Sequence, residues 1–251
     1  MKRILITGMS GLIGQLVYNH LKNNSKYELT GLNRTNLPKV KCIQADINDL
    51  DKVTEAFKDI DIVIHLAAQL PGTSWDSILK TNLEGTYNVY EASRIQGVNR
   101  VIFASSGDAA RGWDNENPYD WLTKGHYDKI TKPWQMIQPT NVWPKGIYGA
   151  SKVWGEAIGR HFSDEFSLSV ICLRIGAVLP ENKPNLTRHY STWLSHNDIT
   201  SAISKSIEAP DELKFGIFFV NSNNKWNYRD LKPTREHLNW EPVDTADKFQ
   251  N

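Results

Sequence analysis

The first 21 residues restrict the fold more than any other stretch. An apolar run, RILIT at residues 3 to 7, passes into TGMSGLIG, where Gly8, Gly11 and Gly14 are spaced T-G-x-x-G-x-x-G. A helical periodicity follows at once, with apolar residues at 12, 13, 16, 17 and 21. Strand, glycine-rich turn and helix in that order predict the opening of a βαβ unit. The first glycine permits a tight turn, the second lets backbone approach a pyrophosphate, and the third lets helix and strand pack closely. The amides and positive dipole end of the helix then face the phosphates, so a dinucleotide is the expected ligand.

The same alternation continues. Strands are predicted at 27 to 32, 40 to 46, 61 to 68, 100 to 106, 168 to 176 and 216 to 222, with helices over DLDKVTEAFKDI, from about Trp75 to Ile95, and from Tyr148 onward. The strands are Val- and Ile-rich on both faces, as expected where helices cover both sides of a parallel sheet. The predicted fold is doubly wound α/β, with a Rossmann-type domain over 1–179 and a small substrate-binding region over 180–251. Residues 107–147 interrupt the pattern and carry Trp113, Tyr119, Trp121, Tyr127, Trp134 and Trp143. Those rings suit either stacking on a ligand or filling a core.

Charge excludes some partners. Lys and Arg number 29 against 28 Asp and Glu, a formal charge of +1, so neither nucleic acid nor a membrane surface is expected. No apolar run approaches membrane-spanning length. MKRILITG leads directly into a strand, leaving no room for a signal peptide, and the cytoplasm is the expected location. Cys42 and Cys172 lie in strand-like runs and read as reduced core residues; no metal site is expected.

At the end of the second strand, where an acidic residue would bind the adenosine ribose, the chain reads GLNRTN. Asn33 repels no 2'-phosphate and Arg34 could pair with one, which favours NADP modestly over NAD; a solvated Arg34 is the alternative. Asp46 in QADIND could accept from the adenine amino group or cap a helix.

TGMSGLIG, ADIND, HLAA at 65 to 68, Asn82 in KTNLEGTYNVYEA, FASS at 103 to 106 and YGASK at 148 to 152 occur in the order that marks the extended short-chain dehydrogenase/reductases, the NAD-dependent epimerase/dehydratase family, which the chain resembles. The resemblance implies catalysis by Ser106, Tyr148 and Lys152, with Ser105 an alternative to Ser106. It also implies cofactor contacts from Ser10, Leu12, Ile13, Ile47, Leu66, Ala67, Ala68, Ser105, Ile175 and the Tyr148–Lys152 pair, with Asn82 fixing backbone or relaying protons. The chemistry is coherent: oxidising an alcohol requires a base for the hydroxyl proton, and an ammonium one helical turn from Tyr148 would favour its phenolate. His65 reads as a satisfied histidine rather than a base. A homodimer is expected by analogy with the fold.

The second half is similar to the uronate dehydrogenase branch, in which an arginine matching Arg188 binds the sugar carboxylate; SWDSILKTNLEGT also resembles archaeal NAD-dependent glucose-6-phosphate dehydrogenases. A sugar-like small molecule is therefore the expected substrate. Leu70, Gly107 and Ala177 stand where that branch has polar residues, so the grip on the sugar is expected to differ.

Overall fold

The computed structural model describes residues 1–250. It opens with β1 (Lys2–Thr7), α1 (Leu12–Leu21), β2 (Tyr27–Asn33), β3 (Cys42–Gln44), α2 (Leu50–Ala56) and β4 (Ile62–His65). Then come α3 (Trp75–Ile78), a π-helical turn at Leu79–Glu84, α4 (Gly85–Ile95) and β5 (Arg100–Ser106). The interrupting segment holds a 3-10 helix at Gly107–Asn115, α5 (Tyr119–Lys124) and a 3-10 turn at Tyr127–Lys129. The chain continues through α6 (Gly146–Phe166), β6 (Ser169–Ile175), α7 (His189–Thr192), α8 (His196–Glu208), β7 (Phe215–Val220) and α9 (Lys232–Leu238).

The described strands form one parallel sheet in the order β3-β2-β1-β4-β5-β6-β7. Strand order reverses between β1 and β4, and ligands bind such sheets at the carboxyl ends beside that reversal. Register brings Thr7 opposite His65, and Ser105 opposite Arg174. Because successive strand residues face opposite sides, Ile4 and Ile6 join one core with Ile199, Ile203 and Ile207 of α8, whereas Leu5 joins another with Val53 of α2, Val89 of α4 and Phe162 of α6. Full burial of each such side chain contributes about 1.5–3 kcal/mol. Residues beyond 179 thus supply α8 and β7 to the main sheet and its first core. Cys172 is buried and unpaired, and Cys42 is half-buried and unpaired.

A third core resolves the aromatic segment. Tyr119, Leu122 and Ile137 pack with Phe219, Tyr228 and Leu231, flanked by Trp113, Trp134 and Trp226. The Tyr127 and Trp226 rings stack at 4.1 Å, and Trp113 meets Trp143 edge-on at 5.3 Å. Tyr119, Tyr127 and Trp134 anchor the excursion to Tyr228 and Trp226 near the C-terminus, whereas Trp143 is exposed. The expected helix from Trp75 to Ile95 is continuous, with a π turn inserted at Leu79–Glu84. Among the described residues no helix is long and apolar enough to cross a membrane.

Candidate active site

The glycine turn sits at the strand-order reversal. Gly8 has φ +68°, and a Cβ there would lie 2.7 Å from the Ala67 nitrogen, so both conformation and space require glycine. A Cβ on Gly14 would come within 2.6 Å of the Gly8 carbonyl oxygen, which is the close helix–strand contact expected of the third glycine. Gly11 differs: it heads α1 with φ −73°, and a Cβ would meet only the Gly8 oxygen at 3.3 Å. Its bareness leaves room above the turn. No side chain caps α1, so the amides of Leu12, Ile13 and Gly14 lack a capping acceptor and fit a pyrophosphate.

Around this cradle the polar groups are ordered. Ser10 Oγ donates to Asn33 Oδ1 at 2.9 Å, and Asn33 Nδ2 donates to the carbonyl and hydroxyl of Thr35, each at 3.0 Å. The Asn33 amide is therefore engaged within its own loop. Arg34 is exposed and makes no ion pair among the described residues. Asp46 accepts from the Asn48 amide at 3.0 Å, while Asp49 caps α2. The Ile47 side chain is buried in the second core. Leu66 and Ala67 donate their amides to Thr7 Oγ1, each at 3.2 Å. His65 is held between Thr7 Oγ1 at 2.8 Å and Thr86 Oγ1 at 3.1 Å. Burial first, and the Lys152 ammonium second, push the His65 imidazolium down to about 3, so the ring is neutral. Asn82, buried in the π turn, accepts from the Gln69 amide at 2.7 Å and donates to the Gln69 carbonyl and Ser151 Oγ, both at 3.0 Å. It fixes the backbone after β4 to α6.

The two serines that end β5 point to different places. Ser105 is buried and donates to Glu156 Oε1 at 2.5 Å. Ser106 Oγ accepts from the Asp108 amide at 3.1 Å and lies near enough to the Tyr148 phenol to favour its ionised form. Ser106 is therefore the strand-end serine that faces Tyr148. One turn along α6, Lys152 is buried; its Nζ donates to the Ala104 carbonyl at 2.8 Å and lies 5.6 Å from the Tyr148 ring centre. Burial pushes the Tyr148 phenol up to about 12, outweighing the lowering by Ser106, with the Asp108 charge raising it further. Burial likewise brings Lys152 down to about 8, opposed by the Glu156 carboxylate. In this state the phenol is protonated at neutral pH.

A cluster of guanidinium groups lies on the shoulder of that pair. Arg111 contacts Asp108 at 3.5 Å and Asp114 at 3.6 Å, and Arg188 contacts Asp114 at 3.6 Å. The Nε atoms of Arg111 and Arg188 are buried and make no hydrogen bond among the described residues. Arg229, 2% exposed, packs its guanidinium where a Cβ on Gly107 would stand, and among the described residues that guanidinium makes only a long 3.4 Å hydrogen bond, to Asn221. The neighbouring cations Arg111 and Arg229, after burial itself, destabilise charge on Arg188. Three cations face two carboxylates, and the unspent N–H groups fit an added anion. Leu70 is 63% exposed at the rim, and Ala177 exchanges backbone hydrogen bonds with Thr192 and Leu194.

Residues 4–206 match the NAD dependent epimerase/dehydratase family. The chain belongs to this family. Its full-length relatives include NAD(P)-dependent dehydrogenases. It is 30% identical to the L-arabinose 1-dehydrogenase (NAD(P)(+)) of Haloferax volcanii over 98% of each chain. It is 28% identical to that organism's NAD-dependent glucose-6-phosphate dehydrogenase, over 98% of this chain and 95% of the relative. Its fold matches the crystal structure of a mutant uronate dehydrogenase from Agrobacterium tumefaciens complexed with NAD, with TM-score 0.82 and 28% identity over all of this chain and 88% of the other.

Within this epimerase/dehydratase chain the structure brings the glycine turn, Ser106, Tyr148, Lys152 and Asn82 to one end of the sheet. Gly107 and Arg188 join through the arginine cluster. Sequence reasoning missed Arg229, which lies in an irregular segment with no spacing signal, and Asp114, whose signal was its place three residues after Arg111. It also missed Glu156 and Arg174. A signal existed for Glu156, since it follows Tyr148 and Lys152 at two successive four-residue steps on one helical face. Arg174 showed itself as a charge inside the apolar strand VICLRIG.

Proposed function

We propose that this protein oxidises the C1 hydroxyl of a cyclic sugar carrying an anionic group, giving the lactone. The observation that carries this reading is the arginine cluster beside Ser106 and Tyr148. The similarity to sugar dehydrogenases supports the same conclusion. Arg188 and Arg229 would assign substrate binding to the 180–251 region. A carboxylate suits the site best, because three guanidiniums against Asp108 and Asp114 leave one positive charge to be matched.

When bound, the nicotinamide supplies the hydride acceptor. The α1 amides would hold the pyrophosphate end, and Ser106 Oγ would orient the substrate hydroxyl toward Tyr148. Tyr148 takes the hydroxyl proton once ionised, and Lys152 offsets the resulting negative charge. Because the phenol is held high, sugar oxidation should accelerate as pH rises from neutral, whereas the protonated phenol suits lactone reduction. The exposed, unpaired Arg34 supports NADP as the preferred cofactor, with NAD also accepted.

The test is a panel of uronates, hexose 6-phosphates and neutral aldoses with both cofactors, following cofactor reduction. Uronates should have the highest kcat/KM. Tyr148→Phe should lower kcat about 10²–10⁴-fold. Arg34→Ala should raise the KM for NADP and leave that for NAD unchanged. Turnover of no panel sugar, or full activity in Tyr148→Phe, would refute the reading.

A further inference from the structure

Behind the site lies a charged pair that the proposed chemistry does not itself use. Arg174 of β6 donates through Nε to Glu156 Oε1 and through Nη2 to Glu156 Oε2, each at 2.8 Å, with side chains 0% and 3% exposed. Removing two ions from water costs several kcal/mol each, and an apolar pair of similar volume often serves stability as well or better. Stability alone is therefore a poor reason for its presence. Its contacts suggest another. Glu156 Oε1 also accepts from Ser105, the residue between Ala104, whose carbonyl holds Lys152, and Ser106, which faces Tyr148. On α6, Glu156 stands one turn beyond Lys152, as Lys152 stands one turn beyond Tyr148.

We propose that Glu156, locked by Arg174, is a positioning residue for Lys152: it clamps the carboxyl end of β5 to α6 and supplies the lysine's counter-charge from one helical turn away. The other titratable groups around the lysine are uncharged near neutral pH. His65 on β4 is held at about 3, Tyr148 at about 12, and burial keeps Tyr90 of α4 and Cys172 of β6 protonated well above their usual ranges. Arg174 faces Glu156 from β6, so Glu156 is the one carboxylate that opposes the effect of burial on Lys152. The inference rests on the proposed role of Lys152 for its importance to turnover, but its test does not require turnover.

The decisive measurement is the NMR titration of Lys152 in protein labelled at its lysine side chains, the signal assigned by its loss in Lys152→Met. Glu156→Gln should move the midpoint down by about one pH unit. Because that variant strands a buried Arg174 and can misfold, Glu156→Gln/Arg174→Met removes both charges together and should show a downward shift as well. Glu156→Asp should stay close to the parent midpoint. A folded double variant whose Lys152 midpoint coincides with the parent's overturns the proposal. If the midpoints move as expected while no sugar is oxidised, the proposed function fails and the positioning role stands.

Discussion

Two glycines one turn apart meet different demands. Gly8 combines φ +68° with a Cβ position 2.7 Å from the Ala67 nitrogen, whereas Gly11 has ordinary φ −73° and only a 3.3 Å contact. Alanine at Gly8 forces strain onto the turn and the strand beside it, about 1–3 kcal/mol. Alanine at Gly11 meets only the Gly8 carbonyl oxygen, which need give by a few tenths of an ångström, and otherwise adds its methyl where a ligand's phosphates would approach. Gly8→Ala should therefore lower both Tm and cofactor affinity, while Gly11→Ala should leave Tm almost unchanged and weaken cofactor binding at least tenfold. Thermal melts and fluorescence titration with NADPH separate the two, and equal Tm losses would refute the distinction. The motif's spacing and the separate roles of its glycines were readable from sequence, but the approach of Gly8 to Ala67 was not, because it depends on the residues after β4.

At the level of elements, legibility followed burial. The strands could be found because a sheet covered on both faces needs unbroken apolar runs, and VIFASS and SVICLRI supply them. The π turn could not, because inserting one residue into a helical turn leaves local composition unchanged, and only Asn82's bonds to Gln69 and Ser151 reveal its use. Tyr148 and Lys152 were legible as one helical face; Arg229 was not, because tertiary packing alone brings its loop to the end of β5. That contact makes Gly107 and Arg229 a unit. Gly107→Ala should push the guanidinium aside and raise KM for anionic sugars severalfold, while KM for a neutral aldose stays unchanged. Arg229→Met should reproduce the effect, and adding Gly107→Ala to it should do little more. Additive KM losses in a double-mutant cycle would show that the two residues act separately.

The whole molecule carries a pH dependence set by histidines that fold uncharged. His65 is held at about 3 and His189 at about 4, in both cases first by burial and then by neighbouring cations, Lys152 for one and Arg188 with Arg111 for the other. In the unfolded chain both titrate near ~6.5. The folded values are the lower ones, so the stabilisation is complete above about 6.5 and declines as the unfolded state takes up protons that the folded state refuses. Each histidine can contribute a slope of up to about 1.4 kcal/mol per pH unit between its unfolded and folded values. Asp61, Glu91 and Asp244, lowered by hydrogen bonds from Arg3, Arg94 and Lys248, lose their contributions only further down, in the carboxylate range. Asp198, raised by burial, works in the opposite sense there. Between pH 7 and 5 the histidines therefore dominate, and the unfolding free energy should fall by about 2 kcal/mol or more. His65→Gln keeps a polar group between Thr7 and Thr86 but cannot charge, so its stability should be lower at pH 7 and its pH slope roughly half the parent's. Denaturant titrations at pH 7, 6 and 5 measure both slopes; identical slopes would mean that His65 is not the buried neutral group its two threonine partners make it.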